Sequence, residues 1–124
     1  MHFVIASQVV SLAIITTHYT GFYFFQNLYL YYACPEDKKK CIEILVACEL
    51  LNLVLGLQFR PQVDKLITYL KYQNEYKVIN MDQWMGFLRF SNEINFPLLD
   101  NYDPDQAWPL ILDNFVEWLR ANKN

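Results

Sequence analysis

Acidic side chains dominate the C-terminal end of this chain, and their type suits them to bind cations. Residues 98–124 contain five of them against the basic Arg120 and Lys123, namely Asp100, Asp103, Asp105, Asp113 and Glu117. Carboxylates in this number create a negative potential that attracts cationic groups. The sequence therefore predicts an acidic surface that attracts a basic partner.

Calcium is the metal to which the spacing of these acids corresponds. Asn101, Asp103 and Asp105 match the first three ligand positions of an EF-hand loop. The match ends there, because Gln106 stands where the loop needs glycine and Leu112 stands where it needs a bidentate glutamate. We expect an EF-hand-like helix–loop–helix without calcium ligands, and hence neither a metal nor another cofactor.

Groups for covalent or acid–base catalysis do not form a recognisable pattern. Cys34, Cys41 and Cys48 recur every seven residues, which would place them on one helix face, but they lack CxxC spacing and a neighbouring histidine. We interpret them as small packing residues in a reducing compartment. His2 and His18 stand alone, and no phosphate-binding or hydrolase motif occurs. The sequence therefore does not predict an enzyme.

The composition predicts one folded domain. The chain has 124 residues, of which 54% are hydrophobic and 19% charged, and its net charge of −3 argues against nucleic acid as a partner. Residues 1–18 are apolar and uncharged. They fit a membrane segment, a buried helix or a badly defined start. We favour the buried helix, because the basic region that begins a signal segment is missing and polar residues interrupt the stretch.

Helical periodicity runs through most of the remaining chain. The stretch GFYFFQNLYLYYAC predicts a first helix with an aromatic inward face, formed by Phe22, Phe25, Tyr29 and Tyr32. The stretch EDKKKCIEILVACELLNLVLG predicts a second, with an inward face that includes Ile42, Leu45, Val46, Leu50, Leu53 and Val54. The stretch FRPQVDKLITYLKYQ predicts a third, whose inward face holds Val63, Leu66, Ile67 and Leu70. NEYKVI then alternates, which indicates an extended link or a single edge strand.

A fourth helix begins with a capping box. Asn80 can accept from the backbone N–H of Gln83 while the Gln83 side chain reaches back to Asn80. Trp84 lies on the inward side of this helix. Asp82 lies roughly 160° away at about 100° per residue. Asp82 should therefore face water in the first turn, where the helix dipole favours a negative charge.

The last helix is predicted to begin at Asp103, which can cap it. Pro104 suits the first helical position, and Gln106 completes a second capping box. Pro109 would then fall inside the helix and kink it.

The two faces of this last helix differ in polarity. Trp108 and Phe115 lie on the inward side, and Asp113 lies on the solvent side. In total, the pattern predicts a single all-α domain of five or six helices with one short strand.

Three motifs stand in the C-terminal half: INMDQW begins at Ile79, NYD at Asn101 and AWPLILDNF at Ala107. They resemble the potentiating-neddylation domain of the defective-in-cullin-neddylation family. The family pattern is I-x-x-D-x-W, then N/D-Y-D, A-W-P, aliphatic residues and D-[DE]-F. The structural positions of that pattern are held here by Trp84, Trp108, Pro109 and Phe115. LLNLVL also resembles the family's Y-W-x-L-V-L helix, so residues 19–124 are interpreted as the C-terminal part of such a domain.

The resemblance implies a scaffold-type ligase cofactor without chemistry of its own, in the cytoplasm or the nucleus. Such a protein holds the C-terminal winged-helix region of a cullin and the neddylation conjugating enzyme, and so favours transfer of the ubiquitin-like modifier to a cullin lysine. The family's cullin-contacting Asp, Ala and Asp correspond to Asp82, Ala107 and Asp113. The family's pocket for the conjugating enzyme's acetylated N-terminal methionine comes mostly from a first half that this chain lacks. We therefore assign no residue to that pocket.

Two other interpretations remain open from the sequence. The chain fits a degenerate EF-hand-like module that binds peptides, and it also fits a membrane-attached helical protein anchored by its first residues. Neither interpretation accounts for the spacing between DQW and AWP.

Overall fold

Five α-helices and one two-stranded sheet make up the part of the chain that the structure describes. The computed structural model describes residues 21–33 and 41–122, so the prediction for residues 1–18 lies outside it. In chain order the elements are α1 (Phe22–Tyr32), β1 (Ile42–Glu43), α2 (Ile44–Val54), α3 (Arg60–Tyr72), β2 (Val78–Ile79), α4 (Met81–Glu93) and α5 (Leu110–Ala121). The predicted all-α fold is confirmed. Among these described helices, none has the length and apolar character needed to cross a membrane.

Helix α1 packs on α4 through an aromatic stack. The Phe25 ring lies parallel to the Trp84 indole, with 4.1 Å between centroids and 4° between planes. Trp84 Nε1 also donates to the Phe25 carbonyl at 2.7 Å. The predicted aromatic face is right at Phe25 and Tyr29 but wrong at Phe22, which is 56% exposed. The buried stripe instead continues along the helix through Leu28.

The two strands precede α2 and α4 and join the α1–α2 segment to the α3–α4 segment. They are antiparallel, and Ile42 faces Ile79 in the register. The extended interpretation of NEYKVI is therefore confirmed, whereas the predicted helical start around Ile42 is wrong. Because the backbone N–H and C=O groups of β1 form hydrogen bonds with β2, they do not form the hydrogen bonds of a helix.

The later start of α2 changes which side chains face inward. Leu45 is 66% exposed, and the buried face is formed by Ala47, Cys48, Leu50 and Leu51. The prediction that the cysteines share one helix face is also wrong, because Cys41 precedes β1 and only Cys48 lies in the helix. Cys34 lies outside the described residues.

Helix α3 presents the predicted apolar face to the core. Val63, Leu66 and Leu70 are buried, as the periodicity indicated. Tyr69 is buried with them, and its ring centroid lies 5.5 Å from that of Phe115 in α5. Burial raises the pKa of Tyr69 to about 12. This aromatic contact joins α3 to α5.

The last helix begins later than the sequence indicated. The Asp103 side chain accepts from the Asp105 backbone N–H at 2.9 Å, and the Asp103 carbonyl accepts from Gln106 at 3.1 Å. These bonds form a turn, and α5 starts only at Leu110. The second capping box and the kink at Pro109 are therefore wrong. Proline disfavours a helical conformation in the residue before it, which is Trp108, so the helix forms after Pro109.

Candidate functional site

Asp82 stands in the first turn of α4, which the predicted capping box holds in place. Asn80 Oδ1 accepts from the Gln83 N–H at 2.8 Å, and the Asn80 N–H donates to Gln83 Oε1 at 2.9 Å. Trp84 is fully buried, so the opposite side of the helix turns Asp82 to the solvent. Asp82 makes no ion pair with another described residue. Its carboxylate is therefore available to a cation from outside.

Ala107 lies at the surface in a left-handed backbone conformation, with a φ of 47°. The next residue, Trp108, is only 6% exposed. The chain thus reverses direction sharply between an exposed alanine and a buried indole. A non-glycine residue in this conformation costs about 1 kcal/mol, which the burial of Trp108 offsets.

A close approach at Gly86 sets the distance between α4 and the start of α5. A Cβ atom added at Gly86 would lie 2.9 Å from Pro109 Cγ and 3.1 Å from Leu112 Cδ1. Real Cβ atoms rarely come so close to other heavy atoms, so this packing depends on glycine. Gly86 was missed in the sequence analysis, although a glycine inside a helical pattern is a known signal of close packing.

Asp82 and Ala107 line the same surface cavity, which is formed by α4, the loop before α5 and Phe22 of α1. The cavity, called the docking cavity below, has a volume of about 390 Å³. Its other lining residues are Phe22, Met85, Gly86, Leu88, Arg89, Asn92, Glu93 and Pro109. Two of the three predicted contact residues are therefore brought together from distant parts of the chain.

Asp113 is not part of the cavity lining and is only partly exposed. The Tyr102 hydroxyl donates a hydrogen bond to its carboxylate. Burial of Tyr102, followed by this bond and the charge of Asp113, raises the pKa of the phenol. The Tyr102 ring stacks on Trp108 with 5.6 Å between centroids. Asp113 is therefore connected through Tyr102 and Trp108 to the turn that exposes Ala107.

Arg89 also contacts the Trp108 ring and was not identified from the sequence. Its guanidinium carbon lies 3.9 Å from the centroid of the Trp108 ring. Its Nε also donates to Glu93 at 3.1 Å. Trp108 thus contacts both a cation and an aromatic ring, while its buried Nε1 has no hydrogen-bond partner among the described residues. Arg89 and Glu93 are four residues apart on a helix, and this spacing could have predicted their ion pair from the sequence.

Of the remaining predicted structural residues, Phe115 lies in the core and Pro109 is partly buried at its edge. Phe115 is fully buried, and its ring centroid lies 5.6 Å from that of Phe90 in α4. Phe90 also contacts the rings of Trp108, at 6.0 Å, and Tyr102, at 6.2 Å. Pro109 contributes its ring to the close approach at Gly86. Together these aromatic residues support the turn at Ala107 from inside the fold.

The arrangement is suited to binding a protein surface. Within the described residues, no three His, Cys, Asp or Glu side chains come together as a metal site. Asn101 and Asp103 use side-chain oxygens in bonds to the neighbouring backbone, at Asn95 and Asp105. Burial raises the pKa of the Cys48 thiol to about 11, which keeps it protonated and poorly nucleophilic.

Comparison with known proteins gives a consistent result. A family model described as "Cullin binding" matches residues 8–118. The chain is 42% identical over 96 residues to DCN1-like protein 4 of Drosophila melanogaster, covering 77% of this chain and 38% of the relative. It is 38% identical over 102 residues to DCN1-like protein 5 of Homo sapiens, covering 80% of this chain and 41% of the relative. The chain spans about two fifths of the length of these relatives.

Proposed function

The chain belongs to the cullin-binding family, and from this premise we propose that it binds the C-terminal winged-helix region of a cullin through Asp82, Ala107 and Asp113. In doing so it promotes neddylation of the cullin. The observation that carries this proposal is the docking cavity, which Asp82 and Ala107 line together.

Charge favours a basic partner at this surface. Asp82 is exposed and makes no ion pair among the described residues. Asp113 is partly exposed, and a carboxylate that accepts one bond from Tyr102 retains further acceptor sites for a lysine or arginine. Pairs of this kind form charge-assisted hydrogen bonds with a basic side chain.

Shape at Ala107 complements this charge. The alanine methyl group is the smallest side chain that still fixes the backbone, and its neighbour Trp108 is buried. A partner can therefore approach the backbone closely at Ala107. A long side chain at this position would hold the partner away and also introduce a charge of the wrong sign.

The contribution to neddylation is positional. Holding the cullin and the modifier-charged conjugating enzyme on one scaffold raises the effective concentration of the reacting groups without a nucleophile from this chain. This agrees with the protonated state of the buried Cys48 thiol. The site of action on this proposal is the cytoplasm or the nucleus.

Substitution of Ala107 by arginine tests the proposal directly. We expect Ala107→Arg to weaken binding of a cullin C-terminal domain, measured by calorimetry, by about a hundredfold. Asp82→Asn should weaken it less, by about tenfold, because a rim charge mainly affects the association rate. Both positions are exposed, so the circular dichroism spectrum and the urea midpoint should stay close to those of the wild type.

Matched controls separate a local effect from a general one. Leu57→Arg adds the same side chain at a 73% exposed position between α2 and α3, and Glu75→Gln removes one negative charge from an exposed loop residue. Both controls should bind the cullin normally. Full affinity of Ala107→Arg would falsify the assignment of this surface.

A further inference from the structure

We propose that Phe22 of α1 is a further contact residue of the docking cavity, and that it packs against a large apolar side chain of the cullin. This inference rests on the proposed function and extends it. Asp82, Ala107 and Asp113 lie on α4, on α5 and on the loop between them, whereas Phe22 is the first residue of α1. The binding surface thereby includes a third helix, and it favours a partner that presents an apolar side chain next to a basic one.

Uncharged groups form most of the docking cavity. Three of its ten lining residues are charged, and two of these, Arg89 and Glu93, form an ion pair at 3.1 Å. Asp82 makes no ion pair among the described residues. The apolar lining residues are Phe22, Met85, Leu88, Ala107 and Pro109. Because one exposed carboxylate contributes little to affinity in water, a partner that fits this cavity gains more by covering the apolar lining.

The fold holds the backbone of Phe22 at the edge of the cavity. One turn further along α1, the Phe25 ring stacks on Trp84 of α4 with 4.1 Å between centroids. The Phe25 carbonyl accepts from Trp84 Nε1 at 2.7 Å. The Phe25 N–H donates to the Gly21 carbonyl at 3.3 Å, which closes the first turn of α1 around Phe22. Because this turn is already fixed against α4, a partner loses little conformational entropy when it binds there.

Phe22 differs in its location from the other exposed apolar residues of α1. Phe22 is 56% exposed, and Tyr23, Leu30 and Tyr31 are exposed as well. None of these three lines the docking cavity. A single apolar side chain at a surface needs no functional explanation, but Phe22 shares one cavity with an exposed carboxylate and with Ala107. Aromatic side chains that a partner covers are among the residues that contribute most to binding.

The arrangement defines the chemistry of the partner's segment. A lysine or arginine pairs with Asp82, and an apolar side chain covers the Phe22 ring. Both groups enter one cavity of about 390 Å³, so they are neighbours on the surface of the cullin. A cullin with a polar side chain in the second position binds more weakly, because that group is removed from water without a hydrogen-bond partner.

Substitution of Phe22 by alanine tests the inference. Alanine removes the ring and favours helices. We expect Phe22→Ala to weaken binding of a cullin C-terminal domain, measured by calorimetry, by about tenfold. Phe22→Leu should stay within about threefold of the wild type, because leucine restores an apolar contact. Leu30→Ala is the matched control, since Leu30 is 58% exposed on the same helix and lies outside the docking cavity, and it should bind normally.

The salt dependence separates the apolar contact from the charged one. The loss of affinity in Phe22→Ala should be equal at about 50 mM and about 500 mM salt, because ions do not screen an apolar contact. The smaller loss in Asp82→Asn should disappear at the higher concentration, since the carboxylate is exposed. A Phe22→Ala effect that also disappeared there would contradict the apolar contact.

The outcomes separate this inference from the proposed function. A wild-type chain that does not bind the cullin overturns both. Loss of binding in Ala107→Arg together with full affinity of Phe22→Ala overturns the contact at Phe22 and leaves the proposed function intact. Equal losses in Phe22→Ala and Leu30→Ala also overturn it, because the effect would then come from the stability of α1. If circular dichroism shows that Phe22→Ala does not fold, Phe22→Gln decides by the same measurements.

Discussion

Replacement of Gly86 by alanine should destabilise the protein even though alanine favours helices. Gly86 lies inside α4, where an exposed Gly→Ala change would add about 1 kcal/mol to the free energy of unfolding. Here the added Cβ would meet Pro109 Cγ at 2.9 Å and Leu112 Cδ1 at 3.1 Å. Neither neighbour can move freely, because Pro109 has a rigid ring and Leu112 is fully buried.

The expected magnitude follows from these two opposing effects. Overpacking a tight core contact by one methyl group costs about 1–3 kcal/mol. Subtracting the gain in helix propensity leaves a net loss of about 1 kcal/mol. In a domain of this size such a loss lowers the melting temperature by about 4 °C. The start of α5 should also move away from α4, which separates Ala107 from Asp82 and weakens cullin binding.

Urea unfolding followed by tryptophan fluorescence measures the stability, and calorimetry with a cullin C-terminal domain measures the binding. Asn92→Ala is the matched control for the stability measurement alone, because Asn92 is exposed on the same helix and gains propensity without a clash. We expect a higher urea midpoint for Asn92→Ala and a lower one for Gly86→Ala, with the same slope. If Gly86→Ala instead raised the midpoint as the control does, the close approach would not constrain the two helices.

Two further predictions concern Arg89 and alkaline pH. Arg89→Met keeps the apolar stem but loses the cation over the Trp108 ring and the ion pair with Glu93. The free energy of unfolding, measured in urea titrations, should therefore fall by about 0.5–1 kcal/mol. If it fell no further than in Arg60→Met, which removes the guanidinium that pairs with Asp64, the result would contradict a contribution from the contact with Trp108. Burial raises the pKa of Cys48 from 9.0 to about 11 and that of Tyr69 from 10.0 to about 12, so both favour folding while neutral. Their contribution to the free energy of unfolding should therefore be fully present below pH 9 and be lost as the pH rises from about 9 to 12. The urea midpoint of Cys48→Ala should fall less than that of the wild type between pH 9 and 11. A urea midpoint independent of pH in this range would refute the argument.

The sequence correctly predicted those helix ends that depend on contacts between residues close together in the chain. The capping box at Asn80 and Gln83 formed as expected, because both partners lie within four residues of each other. The start of α5 differs from the prediction. Because Trp108 is buried and holds the preceding turn against the core, Asp103 does not cap a helix. Strand β1 was missed for a similar reason, because its partner Val78–Ile79 lies more than thirty residues away.

The candidate site was only partly visible from the sequence. Helical periodicity alone placed Asp82 in solvent, and the structure has it exposed. The same reasoning placed Asp113 on a solvent face, but the hydroxyl of Tyr102 shields it in part. Periodicity describes one helix at a time, and this contact comes from a loop eleven residues earlier. The contributions of Gly86 and Arg89 depend on the neighbouring helix and turn, which the spacing of residues in α4 does not reveal.

The charges around the docking cavity suggest which of its properties dominates cullin binding. Glu93 compensates Arg89 through their ion pair, so Asp82 contributes the net negative charge among the residues that line the cavity. One exposed carboxylate is worth little on its own in water at physiological salt. On the proposed function, affinity comes mainly from the close fit that Ala107 permits, and Asp82 and Asp113 orient the basic partner. This is why a bulky residue at position 107 should damage binding far more than the loss of a single acid at position 82.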